Sequence, residues 1–405
     1  MRQSFAQGLN SKLCSIPPER RVFLLILVWA LFFGALIALD ALFLRDYLNS
    51  TIGEVVDLSF YRERTEGVLN GLWLYRDIQC ESPPLIVYLM LPAQMAGGSE
   101  VAYQIWFSIF ILLTSLTIYL ALRRFDDVKA FWVALIFLFV PVSTIETVFG
   151  IQDEAIVFYI FILSILLAVI GRLRWSAAAM TVGIWTKFMN GFLLPFLLRA
   201  ERTRRERLIL LGIVAGISLL VCLPFLIVCP EELLSFPSYY FLKSGTAEDP
   251  TSNLNIWDFL SMGGLELPSW FFLLLIAGVM ILAYYLGLKK NRTLLEGMLI
   301  VLVAFVLIYP RTTASYYTLP IALLLIWGIE NRWLVIRCLT IYVPLLVSLL
   351  FTNNNSVGEP FIDWEWGWVI GALLQLLVII ILLDSTRVAL KKRNFVDRAL
   401  IKEKQ

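Results

Sequence analysis

The 405-residue chain contains no histidine. That removes imidazole acid–base catalysis, Ser-His triads and His-ligated zinc together. Any proton transfer therefore falls to carboxylates, Lys or Tyr. The five cysteines (Cys14, Cys80, Cys222, Cys229 and Cys338) are scattered without CxxC spacing. They read as small apolar residues more than as a disulfide frame or a metal site. The acids, in contrast, are grouped. Asp46, Glu54, Asp57, Glu63, Glu66, Asp77 and Glu81 fall in one stretch, and Asp153-Glu154, Glu231-Glu232 and Glu248-Asp249 follow. Few cations keep them company: Arg45, Arg62, Arg64, Arg76, Lys187, Lys243 and Arg311. A carboxylate can take a proton from a hydroxyl, and a lone cation among acids can hold a phosphate. Several acids together could also bind a divalent cation.

The rest of the chain shows what must position these groups. It is 60% hydrophobic and only 16% charged, with a mean hydropathy of +0.81. Soluble domains run near half apolar and a quarter charged, so the composition argues against a soluble enzyme and rules out a disordered chain or a fibrous protein. Net charge is +2, from 33 basic and 31 acidic residues, and no basic stripe suggests nucleic acid. Apolar stretches of membrane-spanning character recur at 21–44, 101–122, 130–146, 153–171, 175–187, 190–199, 206–229, 269–288, 294–309, 315–329, 334–351 and 366–386. The expected fold is all-α: a single polytopic membrane domain over residues 1–405 with about twelve transmembrane segments. The stretches 175–187 and 190–199 are short for straight crossings and are expected to meet at Thr186-Lys187. The first stretch is too long for a signal-peptide core and reads as a retained span.

Lys and Arg set the orientation. Arg20-Arg21, Arg123-Arg124, Arg172, Arg174, the run from Arg199 to Arg207, Lys289-Lys290, Arg292, Arg332, Arg337 and the tail from Arg387 to Lys404 fall on one side, expected to be cytoplasmic. The acids and the long loops 45–100, 230–268 and 352–365 fall on the other. In loop 45–100, Pro83-Pro84 stops a helix from running through. Residues 85–95 are too few to cross, so this loop is expected to carry surface helices and the active site.

The motifs in this loop carry a resemblance. Asp57-Leu58-Ser59-Phe60-Tyr61, then Gly71-Leu72-Trp73-Leu74-Tyr75-Arg76-Asp77, then Glu81-Ser82-Pro83-Pro84-Leu85 with Tyr88 resemble the first-loop signature of GT-C glycosyltransferases. The match is closest to the polyprenol-phosphate-mannose-dependent group, glycosyltransferase family 87. Further matches are Gln152-Asp153-Glu154, Thr186-Lys187-Phe188, Asn253-Leu254-Asn255-Ile256-Trp257, and Pro310-Arg311 followed by Tyr316-Tyr317. The resemblance implies an integral membrane enzyme that moves a hexose, here expected to be mannose, from a polyprenyl- or dolichyl-phosphate donor. The acceptor would be a lipid, glycan or protein on the extracytoplasmic side, and the anomeric centre would be inverted. It places the enzyme in the plasma membrane, or in the endoplasmic reticulum of a eukaryote, and makes Asp57 the catalytic base.

The chemistry agrees with that assignment. Inverting transfer needs one carboxylate to deprotonate the acceptor hydroxyl as it attacks. A phosphate leaving group needs cations more than an acid, and no cofactor or metal is expected to be essential. Lys187, Arg311 and Arg76 are candidates for the donor phosphate. Glu81, Asp153, Glu154, Tyr61, Tyr316 and Tyr317 are candidates for sugar or acceptor contact. Plainer readings stand beside these: Lys187 as a snorkelling side chain, Asp153 and Glu154 as helix-start acids, and Tyr316, Tyr317 and Trp257 as interface-belt aromatics. The competing function is a multi-pass lipid or sugar transporter or flippase, which would use broken helices of the kind expected at 186–190.

Overall fold

The computed structural model describes residues 16–52, 56–238, 256–265, 268–309, 312–351, 362 and 364–402. Arg311, Asn253 and the rest of loop 352–361 lie outside them. Among the described residues there is no strand, only a single bridge between Leu74 and Ile78. Every apolar stretch named above is helical. Five helices have both the length and the hydropathy for a full crossing: Pro18–Ser50, Glu100–Leu122, Arg204–Val228, Arg332–Leu349 and Gly367–Lys402. The pair Asp127–Phe137 and Pro141–Val148, bent by 43°, makes a sixth if it is one span. Pro141 causes the bend, since its ring cannot continue the preceding turn. Glu154–Val169, Leu294–Ile308 and Ala314–Gly328 are shorter apolar helices.

Burial divides the helices into two layers. Thr318–Gly328 is buried on every side, and so is most of Glu154–Val169. A helix that is apolar all round belongs in the centre of the bundle or against lipid. These two are central. In Arg204–Val228 only 11% of the apolar window is buried, and Leu219, Leu220 and Ile227 point outward. That helix faces the lipid.

The first helix does not stop at residue 44. It continues through a π-helical turn, Asp40–Leu44, into Arg45–Ile52. The stretch 45–100 then holds two more helices, Val56–Leu69 and Pro84–Met95. Pro84–Met95 begins where Pro83 and Pro84 allow, with proline in the first turn. It buries Ile86, Val87, Met90 and Ala93 against Val56–Leu69 and Glu100–Leu122. Its buried apolar face is therefore covered by protein.

The basic loops meet at one end of the bundle. Arg21 pairs with Asp127. Lys129 and Arg398 share Glu330 at 2.9 and 2.5 Å, and Arg174 pairs with Glu206 at 3.1 Å. Arg124 donates to Ile170 O at 3.2 Å, at the C-terminal end of Glu154–Val169. The acidic residues Asp153 and Glu154 sit at the opposite end of that same helix.

Candidate active site

The site begins at a turn. Pro141–Val148 ends at Phe149, and the chain reverses through Gly150 and Ile151. Ile151 has φ +48°, which is costly for a β-branched side chain, of the order of 1–3 kcal/mol. Its side chain is fully buried, and the turn is fastened on both sides. Gln152 N donates to Glu146 O at 3.1 Å. On the other side, Gln104 Nε2 donates to Val148 O at 2.7 Å, and Arg45 Nη2 donates to Phe149 O at 3.2 Å.

Those two donors belong to a buried cluster. Arg45 binds Asp40 Oδ2 at 2.9 and 2.6 Å through Nε and Nη2, and Gln104 Nε2 reaches the same oxygen at 2.5 Å. Asp40, Arg45 and Gln104 are all nearly inaccessible. The π-helical turn that carries Asp40 is a local widening often found where a helix serves a site. Buried charge persists only when paired, and here the pairing ties the first helix to the carbonyls of the turn.

The turn aims Gln152. Its Nε2 donates to Asp57 Oδ2 at 2.9 Å and to Gly150 O at 3.0 Å. One helical turn beyond Asp57, the Tyr61 hydroxyl accepts the Asp153 N–H at 3.4 Å. Asp57, Tyr61 and Arg64 lie at i, i+4 and i+7 on Val56–Leu69, so they share one face. Glu154, the first residue of the next helix, receives Lys187 Nζ at 2.6 Å.

Lys187 is carried by a break between Leu173–Ile184 and Phe188–Ala200. Lys187 N and Thr186 Oγ1 both donate to Gly183 O, at 2.8 and 2.7 Å. A Cβ on Gly183 would meet Asn190 Oδ1 at 2.3 Å, so the fold needs glycine there to close the break. Lys187 Nζ stands 5.0 Å over the Tyr316 ring. Leu85 N donates to Trp185 O at 3.0 Å, which joins the helix after Pro83-Pro84 to the same break.

Three carboxylates, two cations and two phenols thus converge. Burial raises the Asp57 carboxyl above its ordinary 3.8; Gln152 and then Lys187 and Arg64 oppose that, while Glu154 adds to it. Asp153 is pushed up to about 7, first by burial and then by Glu154, with Lys187 opposing. Burial and then Asp153 raise the Tyr61 phenol well above its ordinary value, so it stays protonated. A carboxylate raised in this way is a better base near neutrality than one in water. Among the described residues, no group of three or more Asp, Glu or Cys is arranged to hold a metal ion.

The expected site residues divide by where they fall. Asp57, Tyr61, Asp153, Glu154, Lys187 and Tyr316 lie together. Tyr317 is buried in the core. Arg76 engages its neighbour Asp77 at 2.9 and 2.8 Å at the surface. Glu81 accepts from Gln79 Nε2 at 3.4 Å and touches none of the converging groups. Arg311 lies outside the described residues. Gln152 and Arg64 join the site although neither was a candidate site residue; Gln152 lay in the matched Gln152-Asp153-Glu154 motif, and the i, i+4, i+7 spacing from Asp57 was the available signal for Arg64. Nothing in the sequence marked Asp40, Arg45 or Gln104 as a unit.

The molecule is thus a helical membrane protein with a buried, acid-rich polar site at one end of its bundle. Residues 82–310, more than half of the chain, match the profile of glycosyltransferase family 87, and the chain belongs to that family. The matched stretch includes Gln152, Asp153, Glu154 and Lys187 and begins after Asp57. A human relative, Dol-P-Man:Man(5)GlcNAc(2)-PP-Dol alpha-1,3-mannosyltransferase, is 28% identical over 196 residues, 44% of this chain and 44% of its own. The chain therefore spans less than half the length of that relative.

Proposed function

We propose that this protein is a GT-C enzyme that transfers mannose from a polyprenyl- or dolichyl-phosphate donor to a lipid-linked, glycan or protein acceptor on the extracytoplasmic side. Asp57 deprotonates the acceptor hydroxyl, which attacks the sugar C1 as the C1–phosphate bond breaks. The configuration at C1 inverts, and the phosphate leaves on its lipid. Lys187 receives that phosphate, with Arg64 as a second cation nearby and Arg311 as a further candidate; Arg76, engaged by Asp77 at the surface, is the weakest of the candidates. Asp153, Glu154, Tyr61 and Tyr316 bound the sugar and the acceptor; Glu81 and Tyr317 are further candidates for the same contacts.

The single observation that carries this reading is the convergence of Asp57, Gln152, Asp153, Glu154 and Lys187 from three separate segments. The printed name of the human relative favours mannose and a lipid-linked donor and acceptor. The test supplies the purified protein with radiolabelled polyprenyl-phosphate mannose and a lipid-linked acceptor. Product of inverted configuration is expected from the wild type and none from Asp57→Asn. Full transfer by that variant, or retention of configuration, overturns the mechanism. Thiol labelling of a cysteine placed at position 57 from outside sealed cells tests the side.

The break at 185–187 is the feature that a transporter or flippase would use. Donor-independent movement of labelled lipid across proteoliposomes, unaffected by Asp57→Asn, would favour that reading.

A further inference from the structure

The far end of the bundle is basic and concave. A cavity of about 610 Å³ opens there, a size suited to an organic ligand. Arg124, Arg199, Lys290, Arg292 and Arg393 line it, and among the described residues Asp397 is the one carboxylate on its wall. These residues come from four separate segments of chain, so no single basic run accounts for the cluster. Asp397 is itself engaged, accepting from Asn394 Nδ2 at 2.7 Å, and is buried.

Three of the cations are held in place, Arg292 by Glu296 at 3.7 Å. Arg199 donates to Gly287 O at 3.4 Å and to Lys289 O at 2.8 Å, and Arg124 donates to Ile170 O at 3.2 Å. Lys290 and Arg393 are exposed at the mouth. Phe196, Leu295 and Leu400 supply apolar wall between the charges. Guanidinium groups match the geometry of phosphate oxygens, and a basic pocket between membrane helices suits a lipid headgroup.

The cavity is independent of the transferase site. Glu154 and Val169 are the two ends of one helix, so the separation along it is roughly 22 Å at 1.5 Å per residue.

We propose that this cavity binds the phosphate headgroup of an anionic membrane lipid, with the apolar wall receiving the start of its chains. The test is native mass spectrometry of the purified full chain in nonionic detergent, titrated with phosphatidylglycerol, phosphatidylcholine or inorganic phosphate. Phosphatidylglycerol is expected to bind at least about tenfold more tightly than phosphatidylcholine, and millimolar inorganic phosphate is expected to leave it bound. The double variant Lys290→Glu/Arg393→Glu should lose that preference while mannosyl transfer is unchanged. If the reversal misfolds, Lys290→Gln/Arg393→Gln removes the charge without reversing it and should show the same loss. Equal affinity for the two lipids, or a preference that survives in the folded variant, overturns the proposal. Displacement of the lipid by inorganic phosphate overturns the lipid assignment in favour of a soluble phosphate. The readout is lipid retention, so it stands or falls separately from the transfer assay.

Discussion

Residues 57–64 and residues 71–82 lie in the same stretch and look equally motif-like, yet the fold uses them differently. The first group turns inward, placing Asp57, Tyr61 and Arg64 against Gln152, Asp153 and Glu154. The second group ties itself into a knot. Gly71 and Tyr75 both take positive φ, +82° and +73°. Tyr75 N donates to Ile78 O at 2.9 Å, and Trp73 N donates to Asp77 Oδ2 at 2.9 Å. The Tyr75 hydroxyl donates to Ser82 O at 2.8 Å, just before Pro83. Polar residues in a recurring pattern can therefore serve chemistry or serve a turn. What separates the cases is whether their partners come from distant segments or from within a few residues.

Substitutions in the two groups should separate activity from stability. The largest effect is expected at Asp57: Asp57→Asn should lower turnover by roughly 10²–10⁴ while the melting temperature of the purified protein stays close to wild type. Gln152→Leu comes next. Loss of the amide that holds the carboxylate should cost about tenfold in turnover and move the acid limb of the pH–rate profile to higher pH, because that hydrogen bond pulls the Asp57 pKa down.

Glu154→Gln should move the same limb the other way. The Glu154 charge raises the Asp57 carboxyl, and a base whose negative neighbour is gone holds its proton less tightly. The activity lost on acidification should then set in at lower pH than in wild type. If both variants shift the limb in one direction, the electrostatic account of the site fails.

In the second group the order is reversed. Tyr75→Phe should lower stability by about 1 kcal/mol, read as a lower melting temperature, with kcat nearly unchanged. The smallest effect is expected at the surface: Arg76→Ala should leave kcat/KM within about twofold, since exposed ion pairs of this kind contribute little. A large rise in donor KM there would return Arg76 to the phosphate site.

Much of the architecture is legible in composition, because a run of apolar residues has few solutions other than a helix in or beside a membrane. Helix lengths are less legible. The first span shades into Arg45–Ile52 through a π-helical turn that no hydropathy pattern marks, and the helix after Pro83-Pro84, expected as a surface element, also packs against Val56–Leu69 and Glu100–Leu122. At the site, Asp57 and Lys187 stand out by charge and position. Gln152 stood out only as part of the Gln152-Asp153-Glu154 motif, since a glutamine gives no hint of its partner 95 residues away. Arg64 was hidden among Arg62 and Glu63, where alternating charges look like a solvated face. Asp40 was hidden by its apolar surroundings, which make a lone acid look like the edge of a span.

The shared oxygen of Asp40 has a consequence for descent. Arg45 and Gln104 answer to one acceptor, but unequally: loss of Gln104 leaves the Asp40–Arg45 pair intact, whereas loss of Asp40 or Arg45 alone leaves the opposite charge buried without its partner. Single changes in that pair should therefore cost the fold heavily, whereas a simultaneous swap of the whole trio for apolar side chains is structurally thinkable. Lineages carrying this arrangement should therefore keep it intact or discard it entirely, with few sequences caught in between.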